Sequence, residues 1–217
     1  MTHTPAARPL SRRAVALALL LPLALAGCAG LGLGGGPPLD AWELRAPADP
    51  VVARRSLARD LVIEPPEAGP AVDTDRILVR PNPLQAQYLP GARWTTSAPE
   101  MLRAVMVRAL EDTNGFRYVG RRPIGPGADF ALVSELTDLQ AELNDTGPGA
   151  RVRMRLTARL VREDDAAVLA SRSFIATADV DSLDTLELIT AFNATSDRVM
   201  AELAQWVLGR LGAGVTG

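Results

Sequence analysis

The cleanest periodicity in the chain lies near its middle. Val152, Met154, Leu156, Ala158 and Leu160 alternate with Arg151, Arg153, Arg155, Thr157 and Arg159. A strict period of two predicts a strand buried on one side only, as in an antiparallel sheet with a solvated face. A second strand is predicted over Phe130 to Leu143, joined to it by a loop over Asn144 to Gly149. If that hairpin pairs Glu142 with Arg151, then Gln140 meets Arg153 and Asp138 meets Arg155. Val168 to Ala178 reads as a final strand with Phe174 in the core, and Asp164-Asp165 as the hairpin tip before it.

Helical spacing appears twice. Leu102, Val105, Met106, Ala109 and Leu110 follow Ser97 and Glu100, which form a capping-box pattern, and Asn114-Gly115 supplies a left-handed stop. Leu188, Ile189, Phe192, Val199, Leu203, Trp206 and Leu211 give one apolar stripe to a long helix over Asp184 to Leu211. Ahead of the first helix, short strands are predicted at Trp42 to Leu44, Arg59 to Ile63 and Arg76 to Arg80. An extended piece follows over Leu84 to Tyr88, ending in a Leu89-Pro90-Gly91 turn. Phe116 to Val119 reads as one more short strand before a turn-rich stretch. Together these elements predict an α+β fold, an antiparallel or mixed β-sheet with two α-helices packed on one face.

The N-terminus has a different pattern. Arg8, Arg12 and Arg13 precede an unbroken apolar run over Ala14 to Leu25, of signal-peptide length and too short to span a bilayer. Leu25-Ala26-Gly27-Cys28 matches a bacterial lipobox, and Cys28 is the only cysteine. This reading makes residues 1–27 a lipoprotein signal peptide and Cys28 the acylated new N-terminus. Several acyl chains anchor firmly where one holds marginally. Residues 28–40 are then a lipidated Gly/Pro-rich tether, 41–212 the folded domain and 213–217 a flexible tail. A Gly-rich coil of about ten residues spans roughly 17 Å. Ala29 at the second mature position favours the outer membrane by the enterobacterial sorting rule. A phosphate loop is excluded here, because no strand precedes the glycines and the chain has no lysine.

Charge and composition narrow the chemistry further. Three of the 23 basic residues fall in the leader and all 25 acidic ones lie beyond it. The mature part is therefore mildly acidic, which does not suit nucleic acid. The sole histidine, His3, leaves with the signal, and Cys28 is capped. Histidine- and thiol-dependent catalysis and the usual zinc sites are thereby excluded. No cofactor or metal is expected, and a non-enzymatic role is the favoured reading.

Several pieces now resemble a known family. Asp75 to Arg80, Tyr88-Leu89-Pro90-Gly91-Ala92-Arg93-Trp94, and Ala191-Phe192-Asn193 with Trp206 are similar to landmarks of the ABC-type transport auxiliary lipoprotein family. These are the PqiC-like accessory proteins of MCE (mammalian cell entry) systems. The resemblance spans Trp42 to Leu208, with Trp42 standing where the family more often has a tyrosine-rich strand. It implies a lipid-anchored partner of an MCE-domain substrate-binding protein, an ABC permease and an ATPase. Such systems move phospholipids or other hydrophobic compounds between the inner and outer membranes, and homo-oligomers are implied as possible. An outer-membrane assembly or structural lipoprotein, and a carboxylate-dependent hydrolase, are the competing readings.

Candidate partner-interaction residues are Tyr88 and Trp94 beside the Pro-Gly turn, Arg121 and Arg122 in the turn-rich loop, and Arg151, Arg153 and Arg155 of the alternating strand. Each has a plainer reading: Trp94 as core beneath the helix, the arginines as a solvated face neutralised by the neighbouring strand.

Overall fold

The computed structural model describes residues 38–216. The lipobox, Cys28 and the glycine tether lie outside them. The elements in chain order are β1 (Asp40–Trp42), β2 (Asp60–Ile63), β3 (Glu67–Ala68), β4 (Arg76–Arg80), β5 (Gln87–Trp94), α1 (Ala98–Glu111), β6 (Tyr118–Gly120), β7 (Phe130–Leu143), β8 (Ala150–Arg162), β9 (Ala167–Val180) and α2 (Thr185–Arg210). The architecture is the α+β class that the periodicities predict.

The long strands organise the sheet. β8 pairs antiparallel with β7 from Phe130↔Arg162 to Leu143↔Ala150, and with β9 on its other side from Arg162↔Ala167 to Ala150↔Val180. One edge of β7 is thus occupied throughout. Its other edge carries three short parallel strands end to end. β2 lies against Phe130 to Leu132, β3 against Glu135 and Leu136, and β4 against Gln140 to Glu142. Fourteen residues at ~3.3 Å each make β7 about 46 Å long, enough for all three. β6 extends the sheet beyond β2, while β5 and then β1 extend it beyond β4.

A bulge at Thr137 shifts the β7 register between Leu136 and Asp138. It changes which parity of residue faces inward, so that Leu132, Ser134 and Leu136 before it and Leu139 and Ala141 after it are all buried. The extra residue keeps one long strand packed on a core that the alternating apolar side chains of β8 continue. Val152, Met154, Leu156, Ala158 and Leu160 are all fully buried.

Both helices bury their apolar stripes in the same core. Two edge-to-face aromatic pairs hold α2 on the sheet, Trp94–Phe192 at 5.4 Å and Phe174–Trp206 at 5.7 Å between centroids. Such pairs add roughly 0.5–1.5 kcal/mol beyond the area they bury.

Several local expectations change. The first strand is Asp40–Trp42 rather than Trp42 to Leu44, because its partner is the end of β5. Leu44 is instead buried beyond the strand, with its N–H on the Met101 sulfur. The Leu89-Pro90-Gly91 segment does not end the extended piece. β5 runs through it as a bulge, with Gly91 at φ +73° and the register to β4 jumping between Arg76↔Arg93 and Leu78↔Tyr88. Proline is tolerated here because a bulge leaves its position out of the ladder. β6 begins two residues later than Phe116, and β3 carries no sequence signal in two residues.

The helix ends differ as well. Ser97 is the N-cap of α1, but its side chain makes no capping bond. Ala98 N–H donates to Thr74 O at 3.0 Å, Pro99 has no N–H, and the Glu100 carboxylate is held by Arg103 at 2.6 Å. The reciprocal box is therefore absent. The left-handed stop expected of Asn114-Gly115 is present and falls on Asn114, at φ +53°. At α2, Asp184 accepts from the N–H groups of Leu186 and Glu187.

The predicted flexible tail is ordered through residue 216. Gly212 takes φ +74°, with its N–H on Gly209 O and the Ala213 N–H on Leu208 O, the pair of bonds of a Schellman motif. Ala213 is buried, Val215 bridges Ala53, and Thr216 N–H donates to Val52 O at 3.0 Å. Backbone bonds to the 52–54 segment tie the chain end down.

Candidate functional site

The exposed face of β7, β8 and β9 carries the densest charged chemistry. The three cross-strand positions expected from the sequence are present: Glu142↔Arg151, Gln140↔Arg153 and Asp138↔Arg155. The side chains choose other partners. Arg151 Nε donates to Asp179 of β9 at 2.7 Å, and Arg153 Nε reaches diagonally to Asp138 at 2.8 Å. Asp179 raises the affinity of the Arg151 guanidinium for its proton, through the hydrogen bond first and then through charge. Arg155 and Arg159 are exposed and make no ion pair among the described residues.

Beside this face, the β4–β5 turn encloses a shallow cleft of ≈ 510 Å³. Arg80 Nε donates to Gln140 Oε1 at 2.6 Å, and Gln140 Nε2 donates on to Glu142 at 2.8 Å. Arg153 and Asp138 close the cleft's other side. Gln140 is buried, so its two bonds are what make that burial tolerable. Arg80 and Asp179 were not singled out by sequence. Arg80 ends a short strand and Asp179 falls in a β9 pattern with no clean alternation, so neither bears a periodic mark.

The other candidate residues lie elsewhere. Arg121 and Arg122 follow β6, with β2 and β7 between that strand and β8, and both are exposed. Arg121 borders a hollow with Glu43, Arg108 and Glu111, and the Arg122 carbonyl accepts from the Tyr118 hydroxyl at 2.8 Å. Tyr88 is half-buried, with its hydroxyl 3.5 Å from Ala71 O and the Arg76 guanidinium over its ring at 5.6 Å. Trp94 is 1% exposed and packed on Phe192. Its side chain takes the core position, so a role as a surface anchor is unavailable to it.

Asp164 and Asp165 occupy the β8–β9 hairpin tip, where both meet Arg162, at 3.1 and 2.7 Å. The Arg162 hydrogen bond, helped by the Ala167 N–H, brings the Asp165 carboxyl down to about 2. Among the described residues no group of three or more His, Cys, Asp or Glu side chains is arranged to hold a metal ion. None of the described helices is long and apolar enough to cross a membrane.

An open mixed sheet, with two helices over one face and an arginine–carboxylate surface on the other, defines an α+β domain that displays a broad polar sheet face. The chain belongs to the ABC-type transport auxiliary lipoprotein component family, whose model matches residues 42–204. It is similar in structure to protein XCC0632 from Xanthomonas campestris, with a TM-score of 0.70 and 28% identity over 80% of this chain and 96% of that one. A second solved structure shares the fold, with a TM-score of 0.59 at 14% identity over 76% of this chain and 99% of its own. Protein bll6063 of Bradyrhizobium diazoefficiens is 28% identical over 180 residues, 81% of this chain and 47% of that protein. The chain thus spans about half the length of that relative. The family is that of an auxiliary lipoprotein component of ABC-type transport.

Proposed function

We propose that the protein is a non-enzymatic, lipid-anchored docking subunit of an ABC/MCE system that moves phospholipids or other hydrophobic compounds between the inner and outer membranes. The observation that carries this reading is the family match across residues 42–204. Cys28 holds the domain at the periplasmic face, on the outer membrane, and the residues between it and β1 serve as the tether. The partners are an MCE-domain protein, a permease and an ATPase, with ATP hydrolysis belonging to the last. The docking surface is the outer face of β8, where Arg155 and Arg159 are exposed without ion pairs among the described residues. An unpaired guanidinium retains its donors for a carboxylate on a partner. Arg121 and Arg122, on a different edge, form a second contact area.

Photocrosslinking in intact membranes tests this. Photoreactive residues at Arg155 and Arg121 are expected to form adducts with an MCE-domain protein or permease. Adducts with an outer-membrane barrel alone, in cells expressing the transport partners, would replace the transport reading with an assembly role.

A further inference from the structure

The strand directions show from which end the chain enters the domain. β1 runs parallel to β5, β5 antiparallel to β4, and β4 parallel to β7. β1 is therefore opposite in direction to β7, and residues 38–40 come in from the end of the sheet where β7 finishes at Leu143. The β4–β5 turn lies at that end, with Leu84 97% exposed. So does the junction of β9 with α2, since Val180 aligns through Ala150 with Leu143. Just past it, Leu183 and Leu186 are 46% and 60% exposed, beside a hollow backed by Ala191 and Ala194.

Exposed apolar side chains alone do not select this end, because Val168 and Leu169 stand exposed near the opposite one. Reach does. Through Arg93 and Arg76, Ala41 is level with about Asp138, which puts the far end of β7 roughly 26 Å from the chain's entry, while ten Gly-rich residues span roughly 17 Å. An anchor at Cys28 brings the near end to the membrane and leaves the far end beyond the tether's relaxed span. Charge narrows the surface it meets. Asp181, Asp184 and Glu187 flank Leu183 and Leu186 along the chain, and Asp145 lines the cleft beside the β4–β5 turn, so anionic headgroups would be repelled.

We infer that this end of the domain rests on a zwitterionic lipid surface, with Leu84, Leu183 and Leu186 seated at the headgroup boundary. The inference rests on the lipid-anchored reading above and adds an orientation to it. The arginine face of β8 then stands upright from the membrane, displayed sideways to a partner in the periplasm.

The test uses the full chain purified with its lipid and reconstituted in phosphatidylethanolamine/phosphatidylcholine vesicles carrying brominated acyl chains. Cys28 is the only native cysteine. Leu84→Cys, Leu186→Cys, Arg155→Cys and Asp164→Cys therefore each place one environment-sensitive fluorophore. Apolar contacts of this kind sit roughly 5–10 Å into the boundary, so quenching at positions 84 and 186 is expected to exceed that at 155 and 164 by about twofold or more. Flotation with the vesicles but equal quenching at all four positions, or stronger quenching at 155 or 164, overturns the orientation and leaves the anchor standing. A chain that does not float, and takes the label at Cys28 without any substitution, overturns the anchor and the orientation with it.

Discussion

Trp94 and Phe192 meet edge to face, their centroids 5.4 Å apart and their planes at 89°. Both are fully buried, and they join β5 to the N-terminal third of α2. Phe192→Ala leaves a ring-sized cavity against an indole that cannot follow, and is expected to cost about 3–5 kcal/mol. Urea unfolding followed by tryptophan fluorescence measures it. A loss under about 1 kcal/mol would mean that the core collapses around the gap.

The two helix starts give opposite expectations from similar-looking caps. Asp184→Ala removes an acceptor from two backbone N–H groups, at 2.9 and 3.1 Å, and is expected to destabilise by about 1 kcal/mol. Ser97→Ala removes no capping bond and is expected to shift the midpoint by less than about 0.5 kcal/mol. Thermal melts of the two variants, run side by side, check the contrast.

Asp129 supports the edge where β2 joins β7. The Asp60 N–H at 2.8 Å is the main cause that lowers its carboxyl pKa, followed by Arg59 at 2.7 Å. Because the folded value is depressed, the stabilisation is complete above the unfolded value of ~3.9 and is lost as pH falls through the folded one. Asp129→Asn is expected to lower stability by about 1 kcal/mol at neutral pH and to flatten the decline in acid. Denaturant midpoints at several pH values report both effects.

Gly212 holds φ +74° at the end of α2. Gly212→Ala strains that left-handed position and is expected to cost about 1 kcal/mol. Hydrogen exchange at Thr216, whose N–H is bound to Val52 O, should quicken in the variant before the body of α2 does.

Arg151→Ala is expected to leave stability unchanged within about 0.5 kcal/mol, because its ion pair with Asp179 is exposed on both sides. Arg155→Ala, which removes the guanidinium without setting a second carboxylate opposite Asp138, should be equally neutral in a thermal melt. It should nonetheless reduce crosslinking to the transport partner if the β8 face docks, and unaltered adduct yields would move the docking surface elsewhere.

Much of this fold is local and therefore written in short stretches of sequence. The alternation over residues 151–160 specified a strand solvated on one face, and its charges were opposite Asp138, Gln140 and Glu142 as the hairpin demanded. The apolar stripe from Leu188 to Trp206 specified α2 in the same way. These signals survive folding because a period of two or 3.6 already determines which side of an element faces the core. The candidate surface was only half legible. Arg151, Arg153 and Arg155 are on it, but Trp94 lies in the core and Arg121 and Arg122 on another edge.

What periodicity leaves open is decided by contacts between distant parts of the chain. Three short strands share one edge of β7, β5 continues through Pro90 and Gly91, and residues 213–216 are bound against residues 52–54. Arg151 could have closed on Glu142 or on Asp179, since each faces it across a strand, and the choice of Asp179 is visible only once β9 is in place. The sequence by itself determined the strand and helix faces and the hairpin register, all of which depend on neighbours within one or two elements. Strand order, the bulge in β5, the burial of Trp94 and the ordered chain end were settled by tertiary structure. They depend on which remote backbone supplies the missing hydrogen bonds and which remote side chain fills the remaining space.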